Sequence, residues 1–335
     1  MPPLQLSVVR TSVCVALLAV TATARAQNTT ATPPPVLDVH VHAMDESGPN
    51  ARPMCPNTSR FIASDPAKEE SPFGWIQEEC TPMLYPAARG EYMKDVLAEM
   101  ERLNVTAVVF GSPQAVEKWR AAAPKRVIAG TGFELAGTRV PIDQLRGSFA
   151  QGGFKVMGEI GLQYQGISPS DMSVDHYFAL AEALDVPVAL HMGTGGSGRA
   201  NITRPTFRGS MGDPLLLEEL LARHPKLRVQ VMHAGYPMID NMLTLLQANS
   251  HVYVDVAGLI WSYPLKEVNR YIERLVDGGF GDRVMFGTDQ LVWPKLMAYS
   301  IGIIQNADYL TPAQKRDILY NNAARFLRLD ATQAK

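Results

Sequence analysis

The chain has few cysteines and little charge for its length. Only 3 of its 335 residues are cysteine, which excludes a small disulfide-rich scaffold. Charged residues make up 19% of the sequence and the formal net charge is −2, so composition gives no support to a nucleic-acid or polybasic membrane partner. Apolar residues make up 46%, which excludes a largely disordered chain. We therefore expect a globular protein with two average domains or one larger barrel.

The chain also lacks an apolar run long enough to cross a membrane near its N-terminus. The run Val13–Val20 is well below the roughly 20 residues that a spanning helix needs. Arg10 precedes this run, and Ala24-Arg25-Ala26 has the small-x-small pattern of a signal-peptidase site. We predict a signal peptide over residues 1–26, with a buried N-terminal helix as the alternative. The mature protein would then be periplasmic or secreted.

Cleavage after Ala26 would change both the charge and the cysteine count. It would remove Cys14 and leave 29 basic and 33 acidic residues, a net charge of −4. Residues 27–35 are rich in Thr, Pro and Ala and are predicted to be a disordered leader. The remaining Cys55 and Cys80 are predicted to form a disulfide, because an oxidising compartment permits it. Closing this loop of 26 residues would stabilise the fold by about 3–4 kcal/mol.

Short β-rich apolar runs alternate with amphipathic helical stretches from Val36 onward. Eight runs are predicted to be strands: Val36–His42, Val105–Phe110, Arg126–Phe133, Phe154–Gly161, Val186–Met192, Leu227–His233, His251–Ala257 and Arg283–Thr288. Such alternation is typical of a parallel sheet covered by helices. Eight strands is the number that closes a barrel, and no glycine-rich phosphate turn follows strand 1. We predict an α/β fold, a (β/α)₈ TIM barrel over residues 36–330.

Helices are predicted between these strands, and one connection is unusually long. The helical patterns cover Tyr92–Met100, Asp175–Leu184, Pro214–Arg223 with Asp213 as its N-cap, and the closing stretch Pro312–Leu327. Residues 43–90 separate strand 1 from its helix and are rich in Pro, Ser and Glu. At the C-terminal end of a barrel strand, a loop of this length would lie over the catalytic face. The Cys55–Cys80 disulfide would make it a tethered cap.

Polar side chains end five of the predicted strands, where barrel enzymes place their catalytic residues. They are His40 and His42 on strand 1, Glu159 on strand 4, His191 on strand 5, His233 on strand 6 and Asp289 at the end of strand 8. Taken singly, each has a structural explanation, such as a hydrogen-bonded core histidine or a helix-capping aspartate. Together they predict a divalent-metal site, because a carboxylate inside a barrel is costly unless it is paired or metal-bound.

Residues beyond the strand ends are candidates for substrate contacts. Arg199 and Arg204 follow a glycine-rich loop after strand 5 and can bind a substrate carboxylate or phosphate, although a solvated loop explains them at least as well. Trp261 and Trp293 follow strands 7 and 8 and can line the pocket. Packing in the core is the competing explanation for both tryptophans.

At these residues the chain resembles the amidohydrolase superfamily, and within it the amidohydrolase-related (amidohydrolase 2) family. The resemblance covers Val36 to Leu327 and rests on Asp38-Val-His-Val-His42, Pro187-Val-Ala-Leu-His191, Val231-Met-His233-Ala-Gly, Met285-Phe-Gly-Thr-Asp289 and Tyr320-Asn-Asn-Ala-Ala-Arg-Phe-Leu327. It implies a (β/α)₈ barrel with one or two divalent ions, the first bound by His40, His42 and Asp289. His191 and His233 would bind a second ion, or His191 would join the first site and His233 would act on the substrate.

Glu159 bears on the number of ions. The stretch Gly158-Glu-Ile-Gly-Leu-Gln-Tyr164 is similar to the strand-4 motif of TatD-like deoxyribonucleases, in which Glu bridges two ions. This similarity favours a two-ion centre, with one ion and a nearby Glu159 as the alternative. Zn²⁺ is the expected ion, and Mn²⁺ or Fe²⁺ suit the same ligands. Such an ion makes bound water acidic enough to give hydroxide, and Asp289 would take the proton and pass it to the leaving group.

The sequence thus predicts an exported metal-dependent hydrolase of a small ester, lactone, amide or phosphoester. A metal-dependent nonoxidative decarboxylase of the same family is the alternative. A TatD-like nuclease is disfavoured because the mature chain is acidic and has no basic stripe. A non-catalytic binding protein is a third class. The expected partner is a small-molecule substrate, with no nucleic acid and no membrane after signal cleavage, and a homo-oligomer is left open.

Overall fold

The structure is a computed structural model, and it describes residues 32–44, 52–57, 83–133, 140–151, 153–196, 198–202 and 206–329, with single positions 1, 59, 61, 65 and 67. The predicted signal-peptide core, Arg204 and Cys80 lie outside the described residues, so the Cys55–Cys80 disulfide stays a prediction. The chain divides into two compact units, Met1–Thr32 and Pro33–Lys335, and the second contains the strands and helices described below. Within the described residues, no helix is long and apolar enough to cross a membrane.

Eight parallel strands form one sheet in chain order. They are β1 (Val36–Ala43), β2 (Val105–Gly111), β3 (Val127–Phe133), β4 (Val156–Ile160), β5 (Val188–His191), β6 (Val229–Met232), β7 (Val252–Asp255) and β8 (Val284–Met285). Two further backbone hydrogen bonds bring β1 beside the segment that follows β8. The amide of Val39 donates to the carbonyl of Phe286 at 3.0 Å, and the amide of Asp289 donates to the carbonyl of His40 at 2.8 Å. The predicted TIM barrel is confirmed as a nearly closed ring.

Helices alternate with the strands. Those of the described residues are α1 (Tyr92–Arg102), α2 (Pro113–Ala122), α3 (Ile142–Ala150), α4 (Asp175–Ala183), α5 (Arg199–Ile202), α6 (Glu218–Arg223), α7 (Ile239–Ala248), α8 (Leu259–Ser262), α9 (Leu265–Leu275), α10 (Leu296–Asn306), α11 (Pro312–Arg316) and α12 (Asn322–Leu327). The stretch predicted to be one helix from Pro214 begins as a 3₁₀ turn, Pro214–Leu217, before α6. Asp213 caps it as predicted, accepting from the amide of Leu215 at 3.0 Å.

Alternate residues of the strands serve two apolar cores. On β2, Val105 and Val109 pack in the layer between strands and helices, whereas Val108 and Phe110 pack inside the barrel. Phe326 of α12 belongs to the inner core, and its carbonyl accepts a hydrogen bond from the arginine that directly precedes β6. This helix therefore closes the N-terminal end of the barrel, and the polar strand ends lie at the opposite mouth.

The strand that ends at the predicted ligand Asp289 is shorter than expected. We predicted a strand over Arg283–Thr288, and the ladder with β7 covers only Val284–Met285. Beyond it, the amide of Thr288 donates to the carboxylate of Asp38 at 2.9 Å, and Asp289 adopts a left-handed φ of 52°. The register of β1 also shifts between Asp38 and Val41. The early end of β8 and the register shift in β1 lie opposite each other at the barrel mouth. Together they determine where the side chains that follow them point.

The long connection after β1 packs on the barrel mouth where it is described. Met54 and Leu84 form an isolated antiparallel bridge, and both pack against Trp261 and Trp293 in an apolar cluster beside the loops after β7 and β8. Asn57 extends this contact, since its amide donates to the carbonyl of Trp261 at 2.6 Å. These described residues therefore lie beside the loops after β7 and β8, and the cap over residues 43–90 stays a prediction.

Candidate metal centre

The six predicted ligands converge on one cavity of about 250 Å³ at the C-terminal end of the barrel. Five of them line it: His42, Glu159, His191, His233 and Asp289. The sixth, His40, is fully buried behind the wall, with its ring centroid 5.2 Å from that of His42 and 5.1 Å from that of His233. Strand ends that are far apart in sequence therefore meet, as the barrel topology requires.

Among the described residues, two sets of three side chains are close enough to hold an ion. His40, His42 and Asp289 form one set, and His40, Glu159 and His233 form the other, with the ligand atoms of each set within 4.8 Å of one another. The Nε2 atom of His42 lies 3.0 Å from Oδ1 of Asp289 and 3.3 Å from Oε2 of Glu159. Imidazole nitrogens mixed with carboxylate oxygens suit a borderline divalent cation. The first set is the trio that the family resemblance implied.

Buried polar atoms at this centre are left without hydrogen bonds. Both ring nitrogens of His40 and Oδ1 of Asp289 are buried and make no hydrogen bond with the described residues. The 3.0 Å contact between Asp289 and His42 has ion-pair distance without hydrogen-bond geometry. Unsatisfied buried polar atoms are costly and call for a ligand. A divalent cation among these residues would satisfy Nε2 of His40 and Oδ1 of Asp289, so the donor set fits a metal.

Charges of opposite sign shift the ionisation of this centre. Burial alone would raise the pKa of Glu159, but three neighbouring imidazoles, first that of His40, hold it well below its usual value. Burial alone would lower the pKa of His40, but nearby carboxylates, with the charge of Asp289 first, raise it well above its usual value. The carboxylate of Glu159 is therefore ionised and attracts a cation. Because a metal binds the neutral imidazole, an ion would compete with the proton on His40.

One ring nitrogen of His233 is used in a hydrogen bond. Its Nδ1–H donates to the carbonyl of Ala257 at 2.8 Å, so Nε2 is the nitrogen that can contact an ion or a substrate in the cavity. The backbone of His233 is left-handed, with φ of 56°, and so is that of Ala234, with φ of 48°. Such residues store about 1–2 kcal/mol of strain each. The amide of His233 donates to Oδ1 of Asp255 at 2.9 Å, which helps hold this turn.

His191 borders the centre but belongs to neither ligand set. Nε2 of Gln163 donates to its Nδ1 at 2.9 Å, so the ring proton lies on Nε2, which donates to the hydroxyl of Tyr164 at 2.7 Å. Its Nε2 is 3.9 Å from Oε1 of Glu159. Burial first, and then the neighbouring His233, lower its pKa to about 3, so the ring is neutral at ordinary pH. The predicted ligand role of His191 stays a prediction.

Asp255 is a residue of this centre that the histidine and glutamate pattern did not identify. It ends β7 with no solvent exposure, and its Oδ2 lies 3.4 Å from Nδ1 of His40. Strand alternation was the available signal. Val252 and Val254 pack toward the helices, which turns Tyr253 and Asp255 toward the barrel interior.

Of the described residues predicted to contact the substrate, two line the cavity and one packs behind it. Arg199 and Trp261 line the cavity, and the guanidinium of Arg199 lies 4.9 Å from the ring centre of Tyr164, which also lines it. Trp293 is not among the described residues that line the cavity. It packs behind Trp261, with ring centroids 6.2 Å apart, and donates its Nε1–H to the carbonyl of Arg52 at 3.0 Å. Its position therefore fits packing rather than substrate contact.

Comparisons with known proteins connect this geometry to a family. A family model described as amidohydrolase matches residues 37–329, and no curated protein sequence matches the chain. Similar solved structures include an uncharacterised TIM-barrel protein from Bordetella bronchiseptica, with 18% identity over 75% of this chain and 87% of that one and a TM-score of 0.58. A candidate 2-pyrone-4,6-dicarboxylic acid hydrolase from Pseudomonas putida shares 14% identity over 88% and 97% of the two chains, with a TM-score of 0.56.

A third similar structure is a dihydroxybenzoic acid decarboxylase from Polaromonas sp. JS666 with bound manganese and the inhibitor 2-nitroresorcinol. It shares 13% identity over 90% of this chain and 99% of that one, with a TM-score of 0.55. At these identities the solved structures support the fold, and the family model covers nearly the whole barrel. The chain belongs to the amidohydrolase-related (amidohydrolase 2) family of metal-dependent enzymes.

Proposed function

We propose that the protein is a metal-dependent hydrolase of a small ester, lactone, amide or phosphoester. The observation that carries this proposal is the position of Asp289. Its carboxylate borders the cavity, has a buried oxygen without a hydrogen bond to the described residues, and lies 3.0 Å from His42. A carboxylate there can take a proton from water in the cavity and return it to the leaving group. A divalent ion, when bound, supplies the Lewis acidity that makes water acidic and polarises a substrate oxygen.

We propose one ion in this centre rather than two. The two ligand sets share His40, and one imidazole nitrogen has a single lone pair, so it binds one ion. The other nitrogen of His40 faces Asp255. This proposal departs from the Glu159-bridged pair of ions that the sequence favoured. The donor set suits Zn²⁺, Mn²⁺ or Fe²⁺, with Zn²⁺ the first expectation.

The cavity supports a small and partly apolar substrate. Its volume of about 250 Å³ is below the roughly 300–1,000 Å³ typical of drug-sized ligands. Among the described residues, five aromatic side chains line it, those of Phe61, Tyr164, Tyr236, Trp261 and Tyr263. Arg199 adds a guanidinium that can bind a substrate carboxylate. His233 lines the cavity, and its Nε2, which is not used in the hydrogen bond to Ala257, would exchange a proton with the substrate.

A metal-dependent nonoxidative decarboxylase is the second candidate. A single-ion centre beside Arg199 and an aromatic wall suits an aromatic carboxylic acid as well as a lactone. Hydrolysis is preferred because Asp289 is placed as a base, and proton removal from water is a step that decarboxylation does not need. A nuclease is disfavoured by the net charge of the chain, which is −2 in full and −4 after the predicted cleavage.

The test is a substrate panel with the purified, metal-supplemented protein. It contains lactones, esters, amides, phosphotriesters and aromatic carboxylic acids, assayed in ¹⁸O water with parallel measurement of CO₂. Label in the product supports hydrolysis, whereas CO₂ release supports the second candidate. We expect Asp289→Asn to lower kcat by about 10²–10⁴-fold. Asp282→Asn, an exposed aspartate just before β8, is the matched control and should keep full activity. Equal activity of the two variants would contradict the proposed role of Asp289.

We also propose that the protein is exported, acts on a small molecule, and binds neither nucleic acid nor membrane in its mature form. The support is the basic, apolar and small-residue pattern of residues 1–26 and the acidic net charge. Metal-dependent cleavage of DNA by the purified protein would contradict the part of this proposal that concerns nucleic acid.

A further inference from the structure

We propose that Asp255 is the positioning residue of the metal centre, because its carboxylate orients His40 toward the ion and holds the backbone that carries His233. The inference rests on the proposed metal centre and is independent of which reaction the enzyme performs. It assigns a task to a buried charge that neither the substrate cavity nor the two ligand sets explain.

The carboxylate of Asp255 is fully buried and is enclosed by donors. Its Oδ1 accepts from the amides of His233 at 2.9 Å and Ala257 at 3.0 Å. Its Oδ2 accepts from Nε2 of Gln230 at 2.6 Å and lies 3.4 Å from Nδ1 of His40. A carboxylate that receives several donors in this way has one orientation, so it can fix its neighbours.

The orientation of His40 follows from this contact. A proton on Nδ1 that points at Oδ2 of Asp255 leaves the lone pair on Nε2. That nitrogen lies 3.6 Å from Oε2 of Glu159 and 3.9 Å from Oδ1 of Asp289, so it faces the ligand cluster. A carboxylate behind a ligating imidazole fixes its tautomer and raises its basicity. The separation of 3.4 Å between Nδ1 of His40 and Oδ2 of Asp255 is an ion-pair distance.

The same carboxylate reaches the second ligand set through the backbone. Two hydrogen bonds hold His233, one from its backbone and one from its ring. Its amide donates to Asp255, and its ring Nδ1–H donates to the carbonyl of Ala257. The amide of Ala257 also donates to Asp255. One buried carboxylate thus contacts the ring of one predicted ligand, His40, and holds the left-handed backbone of another, His233.

The test is metal binding by Asp255→Asn, measured by titrating metal-free protein with Zn²⁺ and with Mn²⁺ in a calorimeter. We expect a 10- to 100-fold weaker affinity, the loss typical when the partner of a ligating histidine is removed. Glu99→Gln is the matched control. Glu99 is also buried, and its carboxylate pairs with Arg102 and Lys295, which do not line the cavity. We expect less than a threefold change in affinity for this control.

Three outcomes separate the claims. Weak binding by Asp255→Asn with near wild-type binding by Glu99→Gln supports the inference. Equal affinities of Asp255→Asn and wild type overturn it while leaving the metal centre intact. No binding by the wild type overturns the proposed centre itself.

A second measurement needs no variant of Asp255. Long-range ¹H–¹⁵N spectra of the Zn²⁺-loaded wild type report which nitrogen of each histidine carries the proton, with His40 identified by the signal missing in His40→Gln. We expect His40 to be protonated on Nδ1. A proton on Nε2, or no proton on either nitrogen, would overturn the inference even if Asp255→Asn fails to fold.

Discussion

Asp38 and Asp255 are both buried without solvent exposure, yet their surroundings shift their ionisation in opposite directions. Burial raises the pKa of Asp38 to about 7, and hydrogen bonds from Thr288 and from the amide of His40 offset it only in part. Burial would raise the pKa of Asp255 as well, but contact with His40 lowers it below its usual value. Asp38, which links the ends of β1 and β8 through His40 and Thr288, is therefore partly protonated near neutral pH. Asp255 is an anion at that pH.

This contrast predicts the pH dependence of folding stability in the metal-free protein. The folded-state pKa of Asp38 is raised, so the stability that this group contributes is complete below pH 4 and is lost as pH rises through about 7. Three pKa units correspond to about 4 kcal/mol as an upper limit. Asp38→Asn removes the titration. We expect urea unfolding to give a larger loss of unfolding free energy, relative to wild type, for this variant at pH 5 than at pH 8. A constant difference between the two pH values would contradict the assignment.

The sequence identified most of the residues of the centre, because histidines and carboxylates at strand ends are rare in a plain barrel. It did not reveal how His191 is used. That histidine is bound by Gln163 and Tyr164, which lie in a 3₁₀ turn after β4, and sequence spacing does not give the direction of such a turn. The inward direction of Asp255 could be predicted from alternation along β7. Its role could not, because a single aspartate has no metal-ligand pattern.

At the scale of elements, the turn from β7 into α8 brings backbone close to the centre. Gly258 has φ of 70°, and a Cβ placed on it would lie 3.1 Å from Oδ2 of Asp289 and 3.1 Å from Nδ1 of His233. The turn thus needs a glycine for two reasons, the left-handed backbone and the space beside two candidate site residues. Loop conformation of this kind is what the strand pattern could not supply, as with the shortened end of β8.

A comparison of Gly258→Ala with Gly279→Ala separates the effect of the left-handed backbone from the effect of limited space beside Asp289 and His233. Gly279 also has a left-handed φ, of 88°, but a Cβ there would meet no atom within 4 Å. Both variants should lose about 1 kcal/mol of folding stability from backbone strain. Only Gly258→Ala should also weaken Zn²⁺ binding, by about tenfold or more, because its methyl group displaces Asp289 or His233. Calorimetric titration checks this, and equal affinities in the two variants would argue against close packing at the centre.

At the scale of the whole molecule, the barrel could be predicted almost completely from the sequence. Eight apolar runs with helical stretches between them leave few other topologies, and all eight strands are present in chain order. The cap was predictable as a long insertion, and its contacts through Met54 and Asn57 were not, because they depend on loops after β7 and β8. The number of ions could not be predicted from the sequence either, because it depends on whether the two ligand sets share a ligand atom.

The predicted export gives a test at this scale. Expressed in a bacterial host with its full N-terminus, the protein should be recovered from the periplasm or medium, with Gln27 as its first residue. N-terminal sequencing of the recovered protein measures this directly. Recovery in the cytoplasm with residues 1–26 attached would contradict it. Replacing Ala24 and Ala26 by bulky residues should block processing and leave the longer form.

The central claim is a one-ion metal centre at the barrel mouth, and elemental analysis after metal loading and dialysis tests it most directly. We expect about one divalent ion per chain in the wild type and in His176→Gln, which changes an exposed histidine on α4. We expect His40→Gln, which removes the ligand common to both sets, to lose at least nine-tenths of the bound metal while remaining folded. Two ions per wild-type chain would contradict the one-ion centre, and equal metal in His40→Gln and wild type would contradict the assigned ligands.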